Sequence, residues 1–164
     1  MSKVIVIMGV SGSGKTSVGR QLGWSLKLPF YDADDFHSMS NIEKMKSGVP
    51  LTDYDRYPWL QQLASEIQVW EQGGGAVLAC SALKEEYRQL LSQNTEIQWV
   101  YLAASFDVIS KRMKKRDHFM KADLLQSQFD TLEVPNYGIQ VANEPSIKET
   151  VDKILSLLEQ NEAE

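Results

Sequence analysis

Cysteine, long apolar runs and positive charge are all scarce in this chain, and each scarcity removes a class of protein. One cysteine, Cys80, allows no internal disulfide, and its place in the apolar run Ala76-Val77-Leu78-Ala79-Cys80 suits a small core residue better than a nucleophile. No apolar run approaches the roughly 20 residues that span a bilayer, so no membrane contact is expected. The first strand begins within four residues of the N-terminus with no basic and apolar leader, which points to a cytoplasmic protein. A formal net charge of −5 argues against a protein that coats nucleic acid. There is no internal repeat and no low-complexity stretch. Hydrophobic residues at 43% and charged ones at 24% are ordinary globular values, so residues 1–164 are expected to form a single domain.

What is present centres on Gly9-Val10-Ser11-Gly12-Ser13-Gly14-Lys15-Thr16, two glycines separated by four residues and followed by Lys and Thr. Polyphosphate must lie against bare backbone N–H groups, which Gly9, Gly12 and Gly14 permit. Lys15 can reach the β- and γ-phosphates of ATP, and the Thr16 hydroxyl is a hard oxygen ligand for Mg²⁺. The context agrees, because the continuous apolar run Val4-Ile5-Val6-Ile7-Met8 predicts a buried parallel strand before the loop and Ser17 to Leu26 a helix after it. Further strands are expected at 29–31, 76–80, 97–102 and 138–141. Helices are expected at 38–46, from Pro58 to the Gly73-Gly74-Gly75 break, after a Ser81 cap, at 106–115, near 122–130, and at the C-terminus with Ile147, Val151, Ile154, Leu155 and Leu158 inward. Five strands alternating with helices specify an α/β phosphate-loop fold, a five-stranded parallel sheet flanked by helices. Segments 36–57 and 116–136 are too irregular to be simple crossovers and are expected to be a substrate flap and a nucleotide lid.

The chemistry narrows further at the strand ends. The third strand ends Ala79-Cys80-Ser81 with no acid, where motor ATPases and GTPases carry a Mg²⁺-ordering Asp, and no Asn-Lys-x-Asp guanine reader is present. Asp32 and Asp34, ending the second strand, are the substitutes: one to order Mg²⁺ waters, the other to accept a proton from a hydroxyl substrate, with the two roles interchangeable. Arg112 and Arg116 share a helix face before the lid and can clamp ATP, the alternative being a solvated basic helix end. Arg56 stands two residues before the expected Pro58 helix start and can join its free N–H groups around a carboxylate, unless it merely pairs with Asp53 or Asp55. Lys84 and Arg88, four apart after a strand end, are candidate helpers. The layout suits a small-molecule kinase. A nucleotide or shikimate kinase, or a non-catalytic nucleotide switch, are the competing classes.

The loop, together with Asp32-Ala33-Asp34-Asp35-Phe36-His37, Asn41-Ile42-x-Lys44-Met45, Pro50-Leu51-Thr52-Asp53-x-Asp55-Arg56-x-Pro58-Trp59-Leu60, Cys80-Ser81-Ala82-Leu83-Lys84-x-x-Tyr87-Arg88, and His118-Phe119-Met120 with Leu124-Leu125-x-Ser127-Gln128-Phe129, resembles the gluconokinase family. The likeness runs from about residue 4 to 145, and the linker Val134-Pro135-Asn136-Tyr137 is shorter and less acidic than is usual there. It implies ATP-dependent phosphorylation of D-gluconate to 6-phosphogluconate, a fold like nucleoside monophosphate kinases and shikimate kinase, and usually a homodimer. His37 and Ser81, inside those motifs, join Asp34, Arg56, Lys84 and Arg88 as candidate acceptor-binding residues.

Overall fold

The computed structural model describes residues 3–115, 122–143 and 146–163. Five parallel strands, β1 (Val4–Met8), β2 (Phe30–Asp32), β3 (Ala76–Ala79), β4 (Gln98–Ala103) and β5 (Ile139–Ala142), form one sheet in the order β2-β3-β1-β4-β5. The connection from β1 runs through α1 to the β2 side, and the β3–β4 connection crosses to the other side of β1, which opens the ligand crevice at the C-terminal end of β1, where the Gly-rich loop sits. The helices are α1 (Lys15–Leu26), α2 (Met39–Lys46), α3 (Asp53–Gln72), α4 (Glu85–Leu91), α5 (Phe106–Lys115), α6 (Ala122–Thr131) and α7 (Ile147–Ala163). Among the described residues no helix is long and apolar enough to cross a membrane.

Strand pleating sends alternate residues of β1 to opposite faces of the sheet, so one buried run serves two cores. Val4, Val6 and Met8 pack with Trp59, Leu60, Leu63, Ile67 and Trp70 of α3. Ile5 and Ile7 pack with Val18 and Leu22 of α1 and with Val151, Ile154 and Leu158 of α7. A smaller cluster, Val10, Leu83, Ile109, Met113 and Leu125, seats α5 and α6 over the loop.

Two expected helix starts are corrected. The helix assigned to Pro58 begins five residues earlier, at Asp53, because Thr52 and Asp55 form a reciprocal capping box that satisfies two orphan N–H groups. Pro58 therefore lies within α3, and Arg56 is a helical residue whose N–H already donates to Thr52 O. The free N–H groups proposed around Arg56 do not exist at Pro58. Likewise α4 starts at Glu85 with Lys84 at its cap position, so Ser81 does not cap it. In the terminal helix, Ile147 of the expected inward stripe is exposed, while Val151, Ile154 and Leu158 are buried.

Candidate active site

The loop between β1 and α1 takes its shape from two glycines that no other residue could replace. Gly12 has φ +79°, and a Cβ there would lie 2.7 Å from Ile109 Cγ2; Gly14 has φ +101°, and a Cβ would lie 2.2 Å from Asn143 Nδ2. Asn143, just past β5, donates from that nitrogen to Ser13 O at 2.7 Å and accepts from Thr150, so a third element braces the loop. Gly9 N–H donates to Ser81 O at 3.3 Å, which places Ser81 beside the first glycine through its carbonyl. Lys15 curls over the loop and donates to Val10 O at 3.0 Å. Burial lowers its pKa, and the charges of Asp34, Cys80 and Asp32 act in the opposite direction. Cys80 itself is buried and its thiol is pushed up to about 12, first by desolvation, so it is a core residue and no nucleophile.

The strand end carrying the carboxylates meets this loop directly. Thr16 Oγ1 donates to Asp32 Oδ2 at 2.9 Å, and Asp32 Oδ1 accepts the Asp34 N–H at 3.0 Å, fixing the tight turn 33–36. Trp59 Nε1 of α3 holds the same turn through Ala33 O at 2.8 Å. The Asp34 side chain is 75% open to solvent; desolvation raises its pKa, with Lys15 lowering it and Asp32 and Asp35 adding to the rise. Thr16 and Asp32 offer two adjacent hard oxygens. Among the described residues no three His, Cys, Asp or Glu side chains gather around a metal position. That donor set fits Mg²⁺, which is held by one or two carboxylates completed by phosphates and water, and does not fit a metal needing an all-protein cage.

On the other side of Asp34, His37 stacks on Trp59 with ring centroids 4.1 Å apart, and its Nε2 lies 3.8 Å from Asp34 Oδ1. Burial, with Arg56 adding to it, lowers the His37 pKa to about 4, so the ring is neutral at pH 7. Its Nδ1 lies 3.3 Å from Asn41 Nδ2, an acceptor position that leaves the ring proton on Nε2, facing Asp34. A cavity of about 450 Å³ lies alongside, lined in part by Asp35, His37, Asn41, Asp55 and Trp59.

The basic candidates separate. Arg56 donates to Leu51 O at 2.8 Å and to Tyr87 Oη at 3.2 Å; among the described residues no carboxylate lies within ion-pair distance of it, although the Asp53 pKa is lowered by the hydrogen bond from Tyr87 and also by the Arg56 charge. Lys84 reaches Asp53 at 3.2 Å, and Tyr87 Oη donates to the same carboxylate at 2.5 Å. Arg88 departs from expectation: only 2% exposed, its guanidinium is taken up by Ala82 O at 2.7 Å, Glu133 O at 2.8 Å and Tyr137 Oη at 2.8 Å. It ties the β3–α4 loop to the segment after α6 rather than facing the cleft. Arg112 is half-buried on α5, and its expected companion Arg116 lies outside the described residues. Trp59 and Tyr87 stand in the sequence motifs without a site role assigned to them, and Asn143 was not singled out from sequence, its position beyond a strand's C-terminal end being the usable signal.

A family model described as shikimate kinase matches residues 11–158. A gluconokinase of Arabidopsis thaliana is 39% identical, with 95% of this chain and 92% of that protein covered. The thermoresistant gluconokinase of Escherichia coli K12 is 44% identical over 80% of this chain and 77% of its own. The chain belongs to the gluconokinase family. A crystal structure of a gluconokinase from Sinorhizobium meliloti superposes with a TM-score of 0.89 at 39% identity, covering 97% of this chain and 93% of that one. For a gluconokinase-family chain the fold is the phosphate-loop kinase fold related to shikimate kinase, as expected. Lys15, Thr16, Asp32 and Asp34 lie together where the Gly-rich loop meets the end of β2.

Proposed function

We propose that the chain uses ATP to phosphorylate D-gluconate to 6-phospho-D-gluconate. The observation that carries this is Asp34, held by the Asp32 turn beside Lys15 on one side and His37 and Arg56 on the other, in a chain 39–45% identical to gluconokinases. Phosphoryl transfer needs positioning and charge stabilisation more than covalent chemistry. Residues 9–16 cradle the phosphates, Lys15 neutralises charge on the transferred group, and Arg112 with Arg116 close over the nucleotide. Thr16 and Asp32 would hold Mg²⁺, which supplies further neutralisation of the β- and γ-oxygens. Asp34 accepts the proton of the acceptor hydroxyl, and neutral His37 orients that hydroxyl through Nε2–H. Arg56, with no carboxylate within ion-pair distance among the described residues, reads the acid group of gluconate, with Lys84 and the Ser81 region completing the seat. A homodimer in the cytoplasm completes the proposal.

A coupled assay with ATP, Mg²⁺ and a panel of gluconate, shikimate, glucose and nucleoside monophosphates tests the activity. Gluconate should be the strongly preferred acceptor. Turnover confined to shikimate or a nucleotide, or nucleotide binding without turnover, would replace the assignment with one of its two competitors. Within the same assay Arg56→Ala should raise the gluconate KM roughly ten- to a hundredfold, the value of one lost charge-assisted hydrogen bond, while leaving glucose unaffected. Equal loss on both acceptors would move carboxylate recognition away from Arg56.

A further inference from the structure

Gln128, on α6, sends its side-chain oxygen to the backbone N–H of Ser11 at 2.7 Å, a contact between residues 117 positions apart. We propose that Gln128 is a displaceable stand-in for a phosphate oxygen, a latch on the phosphate loop that triphosphate must evict. The proposal rests on residues 9–16 binding phosphate, and not on the identity of the acceptor.

Three observations lead there. A carboxamide oxygen carries partial negative charge and two lone pairs, so it meets a loop amide much as a phosphate oxygen does. Other loop amides are committed to backbone carbonyls, Gly9 N–H to Ser81 O and Ser13 N–H to Val10 O, and such bonds belong to the fold itself. Ser11 is instead held by a side chain that can rotate away without moving any backbone. Finally, α6 aims this side chain from a fixed base. Leu125, one turn earlier, is buried among Val10, Leu83, Ile109 and Met113, and neighbouring Phe129 packs edge-on to Phe106 with ring centroids 5.8 Å apart. The helix stays seated while Gln128 comes and goes. An interaction present only in the nucleotide-free protein must weaken nucleotide binding by its own worth, and it does so only for ligands whose phosphates reach Ser11. The latch therefore raises the contrast between triphosphate and monophosphate occupancy of the loop.

Gln128→Met keeps the length and packing of the side chain and removes the acceptor. Calorimetric titration of the full chain with Mg²⁺ and an imido-bridged ATP analogue should show the variant binding about fivefold tighter than the wild type, the equivalent of one neutral hydrogen bond. AMP affinity should be unchanged. The melting temperature of the ligand-free variant should fall while that of the analogue-saturated variant equals the wild type, a split that a general packing defect does not produce. Gln128→Glu, which places a charge beside the phosphates, should weaken the analogue at least tenfold and leave AMP near its wild-type affinity. Unchanged or weaker analogue binding by Gln128→Met overturns the latch and makes Gln128 a brace for the binding-competent loop. Failure of the wild type to bind the analogue at all would instead overturn the phosphate-loop assignment beneath it.

Discussion

Asp34 sits between one cation and two further carboxylates, Lys15 on one side and Asp32 and Asp35 on the other, and the division of labour among them sets the chemistry. Asp32 is committed through both oxygens, to Thr16 and to the Asp34 N–H, whereas the Asp34 carboxyl is open to solvent. Asp34→Asn keeps the shape of the turn and removes the base. Its kcat should fall by about a hundred- to ten-thousandfold while ATP affinity holds; a loss of Mg²⁺ affinity instead would exchange the two roles. His37 yields a second outcome, in stability. Its pKa is about 4 in the fold against 6.5 for a free side chain, so between those values the unfolded chain holds a proton that the native state refuses. Asp34 faces the ring and Arg56 lies near it; the Arg56 charge reinforces the refusal. Stability is thus fully present above pH 6.5 and declines as pH falls toward 4, by up to about 3 kcal/mol from this residue. Urea unfolding of wild type and His37→Gln at pH 7 and pH 4.5 checks it: the variant should lack most of the acid-side loss.

Helices decide which of these side chains meet, and here the sequence was only partly legible. The strand–loop–helix around residues 9–16 could be read because its periodicity and its glycines obey one local rule each. The start of α3 was misplaced because Pro58 is a strong N-terminal signal, yet the Thr52–Asp55 box was also in the sequence and prevailed by satisfying two amides. Proline is tolerated there because the bond it forgoes is to Tyr54 O, on an 89% exposed residue that water can serve. Lys84 and Arg88 look like neighbours at i,i+4 only if one helix contains both. With Lys84 extended at the cap position, φ −104° and ψ 148°, they part, Lys84 outward to Asp53 and Arg88 inward to carbonyls. No spacing rule could foresee that destination, since Glu133 and Tyr137 arrive from 45 and 49 residues away. Arg88→Met should leave the buried Ala82 carbonyl without its donor and cut the tie to the Glu133 carbonyl, destabilising the chain by about 1–3 kcal/mol in chemical denaturation. A change below about 0.5 kcal/mol would mean that water replaces the guanidinium and that the segment after α6 is not fastened through it.

At the scale of the whole molecule, the two main cores share one strand. Val4, Val6 and Met8 hold the α3 side, and Ile5 and Ile7 hold the side of α1 and α7, all at 4% exposure or less. Neither core can survive loss of β1, since β1 is also the strand between β3 and β4, and both lose their pairing partner with it. The phosphate loop begins one residue after β1 ends, so nucleotide binding is anchored to the most central element of the fold. The chain should therefore unfold in a single calorimetric transition, with equal calorimetric and van't Hoff enthalpies. An imido-bridged ATP analogue at a hundred times its dissociation constant adds about 2.7 kcal/mol to the native state. For a chain of this size that corresponds to a rise of about 5–10 °C in Tm. The entire transition should move, because stabilising the loop stabilises β1 and, through it, both cores. If the acceptor side formed a separate unit, two transitions would appear and the analogue would shift only one of them. The small cluster under α5 and α6 joins the rest of the fold through two loop residues, Val10 and Leu83, so its opening is a sub-global unfolding event, distinct from a rotation of the Gln128 side chain that leaves α6 seated. Hydrogen exchange at Ile109, Met113 and Leu125, measured with and without the analogue, separates that local opening from global unfolding: these amides should exchange before those of Val6 and Leu78, and slow when nucleotide binds.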